Sequence, residues 1–187
     1  YITGPTVEKF EQAIMNYTGA EACASIGSGT NALVCALKAL DIGPGHQVMT
    51  VGHTFVSTTE AIVNVGATPV FVDIDQFYHL DVNKMELTDT LKAILFVDLY
   101  GQTPDVDKIL SFAKQFNLKV IEDAAQSFGS EYKGKKVGSV ADLTCFSFNP
   151  VKNLGAMGDA GAVTGKKEYI DKVKMYRDHG RKTKFED

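Results

Sequence analysis

Short runs of nearly continuous apolar residues recur along this chain, and between them the apolar positions shift to helical spacing. The runs EACASIG (21–27), VMTV (48–51), PVFVDI (69–74), KAILFVDL (92–99), LKVIEDAA (118–125), ADLTCFSF (141–148) and GAVTG (161–165) are predicted strands. Val7, Phe10, Ile14 and Tyr17 recur at helical spacing, which predicts a first helix capped by Thr6 and ending at Gly19. Further helices are predicted over GSGTNALVCALKAL, stopped by GPG at 43–45, and over STTEAIVNV, closed by Gly66. PDVDKILSFAKQFN, with its proline at the start, and KKEYIDKVKMYRDHG complete the set, while FGSEYKGKKVGS reads as hairpin-like turns. Strands rich in Val, Ile, Leu and Phe that alternate with helices indicate an α/β protein. Its sheet should be mostly parallel and flanked by helices.

Composition narrows the function classes. The 187 residues suit one domain with a substantial core, and 44% hydrophobic with 22% charged residues is ordinary for a globular chain. A net charge of −4 without a long basic run argues against nucleic acid and against an anionic membrane as partners. No apolar run approaches the roughly 20 residues of a membrane span, and the first ten residues carry no signal-peptide pattern. Cys23, Cys35 and Cys145 lack paired spacing and read as buried free thiols, so the expected location is cytoplasmic, with no metal site. Both ends look cut: the chain opens on a glycine–proline turn and stops at KTKFED with no closing element.

In open α/β sheets, ligands lie beyond the carboxyl ends of the strands, and chemistry-bearing residues cluster at such places here. IGSGTNAL joins a strand to a helix, where free N–H groups and the Ser28 and Thr30 hydroxyls can cradle a phosphate. The glycines there suit packing or a dinucleotide equally. Glu122 and Asp123 end the run KVI; a carboxylate there is a surface charge, a helix cap, or the partner of a protonated ring nitrogen. Gln126 can then bond a ring oxygen or steady the aspartate. In CFSFNPVKNLGAMGDAGAV, Lys152 has no charged neighbour and stands between Pro150 and the run Gly155, Gly158, Gly161. The glycines let backbone approach a bound group. Ser147 can reach a phosphate from the same turn. A nucleophilic lysine needs a desolvated site or a standing Schiff base, and this neighbourhood suits either. Phosphate cradle, ring-nitrogen aspartate and imine-forming lysine together describe a pyridoxal phosphate site. Phe55 is placed either to stack on the ring or to fill core.

Taken in order, GSGTNAL, HTFVST, GATPVFVDID, VIEDAAQS, EYKGKKVGS and SFNPVKNLGAMGDAGAV resemble the DegT/StrS family of nucleotide-sugar aminotransferases over nearly the whole chain. The resemblance implies the aspartate-aminotransferase fold, with residues 1–187 as its large cofactor-binding domain and the smaller C-terminal domain absent. It implies pyridoxal 5'-phosphate, with Lys152 forming the imine, Asp123 on the pyridine nitrogen and Gln126 on the ring oxygen. Gly29, Thr30 and Ser147 would hold the phosphate, and Phe55 would stack on the ring. Glutamate would be the amino donor and a keto group on a nucleotide-linked sugar the acceptor, in a homodimer with shared sites. KNLGAMGDAG resembles the branch acting on 3-keto sugars. The chain departs from its relatives in GHQV (45–48), at Val51 and Gly52, and at Asp98, where histidine is common. A pyridoxamine-dependent sugar dehydratase of the same fold carries histidine in place of the lysine, so Lys152 speaks against it. A non-catalytic cofactor-fold module is the other reading. A dinucleotide dehydrogenase ranks last, because GSGT is not followed by the spaced glycine and later ribose-binding acid.

Overall fold

The structure, a computed structural model, describes residues 3–181. Helix α1 (Pro5–Thr18) starts on a proline at its first position, where the missing N–H costs nothing, and ends in the left-handed Gly19. Its N-cap is Gly4, without a side-chain bond, and not Thr6. Strand β1 (Ala22–Ile26) leads through Ser28 into α2 (Gly29–Ala39). The helix stops before the GPG turn, because Leu40 leaves the helical conformation and Asp41 is left-handed. Then follow β2 (Gln47–Val51), α3 (Ser57–Asn64), β3 (Thr68–Val72), β4 (Leu91–Val97) and α4 (Val106–Phe116). Asp105, next after Pro104, caps α4 by accepting from the Lys108 N–H at 3.3 Å. The chain continues with β5 (Lys119–Asp123), the hairpin β6 (Glu131–Tyr132) and β7 (Lys135–Lys136), β8 (Leu143–Ser147), β9 (Gly161–Gly165) and α5 (Lys167–Arg177). The terminal KTKFED segment lies outside the described residues.

Seven strands form one sheet in the order β1-β9-β8-β5-β4-β2-β3. β9 runs antiparallel to both of its neighbours, and every other pairing is parallel. β1, β2, β3, β4, β5 and β8 therefore point their carboxyl ends toward one edge. Side-chain alternation divides the core between two faces. Cys145 and Val163 pack with Leu33, Leu37 and Ile170, whereas Phe146 and Ala162 pack with Ile14 of α1. The second cluster is aromatic: Phe146, Phe148 and Phe128 meet with centroids 5.3–6.2 Å apart, and Phe10 adds an edge contact. Cys23 and Cys145 are buried, and burial pushes the Cys23 thiol up to about 12. Cys35 is only half-buried, a departure from the expected uniform burial. Among the described residues no helix is long and apolar enough to cross a membrane.

Candidate active site

The carboxyl edge of the sheet carries a cavity of about 440 Å³, within the ordinary range for small-molecule sites. All seven residues singled out from the sequence line it: Gly29, Thr30, Phe55, Asp123, Gln126, Ser147 and Lys152. They come from four separate strand ends, those of β1, β2, β5 and β8, which is why parallel topology was needed to bring them together.

One wall is the start of α2. Ser28 caps the helix by accepting from the Asn31 N–H at 3.2 Å, and its carbonyl takes the Ala32 N–H. The Gly29 and Thr30 N–H groups keep no acceptor among the described residues, and they sit at the positive end of the helix dipole. The Thr30 hydroxyl lies 2.8 Å from that of Ser57, itself a wall residue. Ser147 closes against this corner so tightly that a Cβ on Gly29 would stand 2.7 Å from the Ser147 Cβ. Only glycine fits there. The corner therefore offers two free N–H groups and several hydroxyls, the donor set of an anion site.

Asp123 ends β5 beneath the cavity and is 5% exposed, so the surface-charge reading fails. Its Oδ2 accepts from the Thr58 hydroxyl at 2.7 Å, and its Oδ1 from the Ala125 N–H at 3.2 Å. The Thr54 hydroxyl stands 2.9 Å behind Thr58. Burial pushes the Asp123 carboxyl up, against those two hydrogen bonds and the charge of Lys152. Gln126 does not steady this aspartate. Its Oε1 accepts from the Tyr100 N–H at 2.7 Å, which leaves the amide nitrogen as the donor available to the cavity. Tyr100 makes that bond from a left-handed backbone, φ 58°.

Lys152 follows β8 in a turn organised by Asn149. The Asn149 carbonyl accepts from the Lys152 N–H at 2.8 Å, its Oδ1 from the Val151 N–H, and its Nδ2 donates to Asp159 at 2.7 Å. The glycines of this stretch were expected to admit a ligand, yet Gly161 serves backbone packing instead. A Cβ there would meet the Ser28 carbonyl at 2.7 Å and that of Phe146 at 2.8 Å. Phe55 is 65% exposed at the cavity wall, which excludes the core reading.

Thr58, Ser57, Asn149 and Asp159 were not singled out from the sequence. Thr58 reaches Asp123 across 65 positions, and no local pattern marks it. Asn149 and Asp159 lay inside a stretch that was read for its lysine and glycines. Among the described residues no His, Cys, Asp and Glu group could hold a metal ion. Arg177 binds Glu11 at 2.6 Å and the Ser25 carbonyl at 3.1 Å, away from the cavity lining.

Residues 1–187 match the DegT/DnrJ/EryC1/StrS aminotransferase family. A UDP-2-acetamido-2-deoxy-3-oxo-D-glucuronate aminotransferase of Pseudomonas aeruginosa is 42% identical over 99% of this chain and 53% of its own length. DesV of Streptomyces venezuelae, solved with a ketimine intermediate, superposes with a TM-score of 0.95 at 37% identity, over 98% of this chain and 51% of its own. A Bacillus subtilis structure, ntda with bound cofactor PMP, gives 0.88 at 37% identity over 93% of this chain and 40% of its own. The chain spans about half the length of the curated relatives it matches.

Proposed function

The chain belongs to the DegT/DnrJ/EryC1/StrS aminotransferase family, and on that premise we propose that it carries the cofactor site of a pyridoxal 5'-phosphate-dependent aminotransferase. The reaction would move an amino group from glutamate to a keto group of a nucleotide-linked sugar. One observation carries the reading: Asp123 and Lys152, from different strand ends, share a cavity with the uncommitted start of α2.

The residues present fit that cofactor by their chemistry. A buried carboxylate held up by burial favours a cationic partner, which a protonated ring nitrogen supplies. The α2 N–H groups with the Thr30 and Ser147 hydroxyls suit a phosphate. Bound pyridoxal phosphate supplies an electron sink for the amino-bearing carbon. Asp123 would hold the proton on the ring nitrogen, and Thr58, bonded to its Oδ2, would fix the carboxylate that does so. Gln126 would donate from its amide nitrogen to the ring oxygen, and the exposed Phe55 ring would stack on the cofactor. Lys152 Nζ would hold the cofactor in the resting protein and, as the free amine once the amino donor has displaced it, would take and return the proton at the amino-bearing carbon. The presence of Lys152 in the cavity disfavours the pyridoxamine-dependent dehydratase.

A 3-keto sugar acceptor is supported by the name of the Pseudomonas relative, a 3-oxo sugar aminotransferase. Glutamate as donor and a homodimer with shared sites belong to the same proposal. Borohydride reduction of the loaded protein, followed by peptide mapping, tests it. The adduct is expected on the peptide holding Lys152, and an adduct on another lysine rejects the assignment. Absorbance before and after glutamate separates turnover from a bound but idle cofactor.

A further inference from the structure

We propose that Asp98 and Glu122 hold one proton between them and thereby act as a positioning pair for Asp123. Asp98 follows β4 and Glu122 lies on β5, neighbouring parallel strands in which Phe96 faces Glu122 and Val97 faces Asp123. Both carboxyls are fully buried, at 0% exposure. Asp98 Oδ2 accepts from the Ser127 hydroxyl at 2.8 Å, and its Oδ1 has no donor. Glu122 Oε2 accepts from the Thr144 hydroxyl at 2.6 Å and the Gly138 N–H at 3.3 Å, and its Oε1 has no donor. Phe96 faces Glu122 and side chains alternate, so Asp98, two residues beyond Phe96, shares the sheet face of Glu122 as its diagonal neighbour on the adjacent strand.

Ionised carboxylates only accept, so two of them cannot bond, and each would keep an orphaned oxygen in a dry interior. A single proton on Asp98 Oδ1, donated to Glu122 Oε1, satisfies both oxygens at once. The direction follows from the donors: Glu122 has two holding it as an anion, Asp98 has one. Charges facing the pair agree. Asp123 on β5 is a third carboxylate acting on Asp98. On β8 the Cys145 thiol is held well above its usual range by burial, so it stays neutral. Burial itself pushes both carboxyls up.

The shared proton limits the cluster to two negative charges, where three would oppose one another. Asp98 is also tied to Asp123 through the main chain, its N–H donating to the Asp123 carbonyl at 3.1 Å. Asp123 can therefore be the anion of the cavity while its neighbours stay below full charge. That benefit rests on the cofactor reading above, whereas proton sharing is a property of the folded chain alone.

Infrared spectra of the unliganded protein at neutral pH should show a protonated-carboxyl band that both Asp98→Asn and Glu122→Gln remove. Each amide keeps a donor between the two positions, so both variants should fold. No band in the wild type, or a band that survives both substitutions, overturns the proposal. A carboxyl raised above its unfolded value stabilises below that value, about 3.9, and loses the contribution as pH rises through the folded value. Asp98→Asn cannot ionise, so its unfolding midpoint should gain on the wild type as pH rises. Parallel profiles would also overturn it. For positioning, Asp98→Asn should bind pyridoxal 5'-phosphate within about threefold of wild type, while Asp98→Leu, which has no donor, loses about tenfold or more. Equal affinities for the two variants reject the positioning role. If neither the wild type nor any variant binds pyridoxal phosphate while the band behaves as expected, the enzymatic reading fails and the pair stands.

Discussion

Asp123 is where a single residue's physics and the proposed chemistry are most directly opposed. Burial raises its pKa, and the Thr58 hydroxyl, the Ala125 N–H and the Lys152 charge recover only part of the anion's stability. In the unliganded protein the stabilising contribution is fully present below the unfolded value near 3.9. It is lost as pH rises through the raised folded value. Unliganded Asp123→Asn should therefore gain stability over wild type with rising pH, measured as unfolding midpoints. The same substitution should cost several orders of magnitude in transamination, because a neutral amide does not hold the ring nitrogen protonated. Turnover within about threefold of wild type, roughly 0.65 kcal/mol of barrier, would reject that role. Thr58→Val keeps shape and removes one charge-assisted bond, a contribution of about 1.5–3 kcal/mol. Cofactor affinity should fall roughly ten- to hundredfold, and an unchanged dissociation constant would show that Thr58 does not act through Asp123. Lys152→Ala should keep the fold and lose both half-reactions in stopped-flow assays.

The phosphate corner depends on how an element begins. Ser28 consumes the Asn31 N–H, and the Gly29 and Thr30 N–H groups at the cavity wall stay uncommitted among the described residues. Gly29→Val would drive a side chain into Ser147. The effect should be specific to phosphate. Wild type should prefer pyridoxal phosphate over pyridoxal, and in the variant that ratio should collapse toward one in equilibrium titrations. An equal loss for both ligands would indicate general damage to the cavity. Elements like this were legible in the sequence where a local cause acts. Buried strands announce themselves by Val, Ile and Leu runs, and the α2 start by its small residues. The end of α2 was legible to within one residue, Leu40 against the observed Ala39, and Asp41 beyond it adopts a left-handed backbone. Thr58 and Tyr100 stayed invisible for a different reason. Their partners, Asp123 and Gln126, lie 65 and 26 positions away, joined only by strand order.

At the scale of the molecule, the face around the cavity is apolar and open. Val151, beside Lys152, is 87% exposed, and Met157 and Phe55 are exposed on the loops around it. Burying such residues against a second subunit is favourable by about 25 cal/mol per Å² of apolar area, which supports the proposed homodimer. Sedimentation of the full-length protein should give a dimer, and an active monomer would refute it. Substrate choice is also decided at this scale. Recognition of two dicarboxylic amino acids ordinarily uses arginine forks, since bidentate pairing is geometrically specific. Arg177 is committed to Glu11 and to Ser25, and among the described residues no arginine lines the cavity. Apart from Lys152, the donors of the cavity are neutral: main-chain N–H groups, hydroxyls and the Gln126 amide, which suit phosphate and sugar oxygens better than a second carboxylate. A 3-keto deoxysugar nucleotide should therefore be aminated faster than oxaloacetate or pyruvate at equal concentration, with glutamate as donor. Faster turnover of either keto acid would remove this protein from the sugar branch, whatever the spectrum of its cofactor.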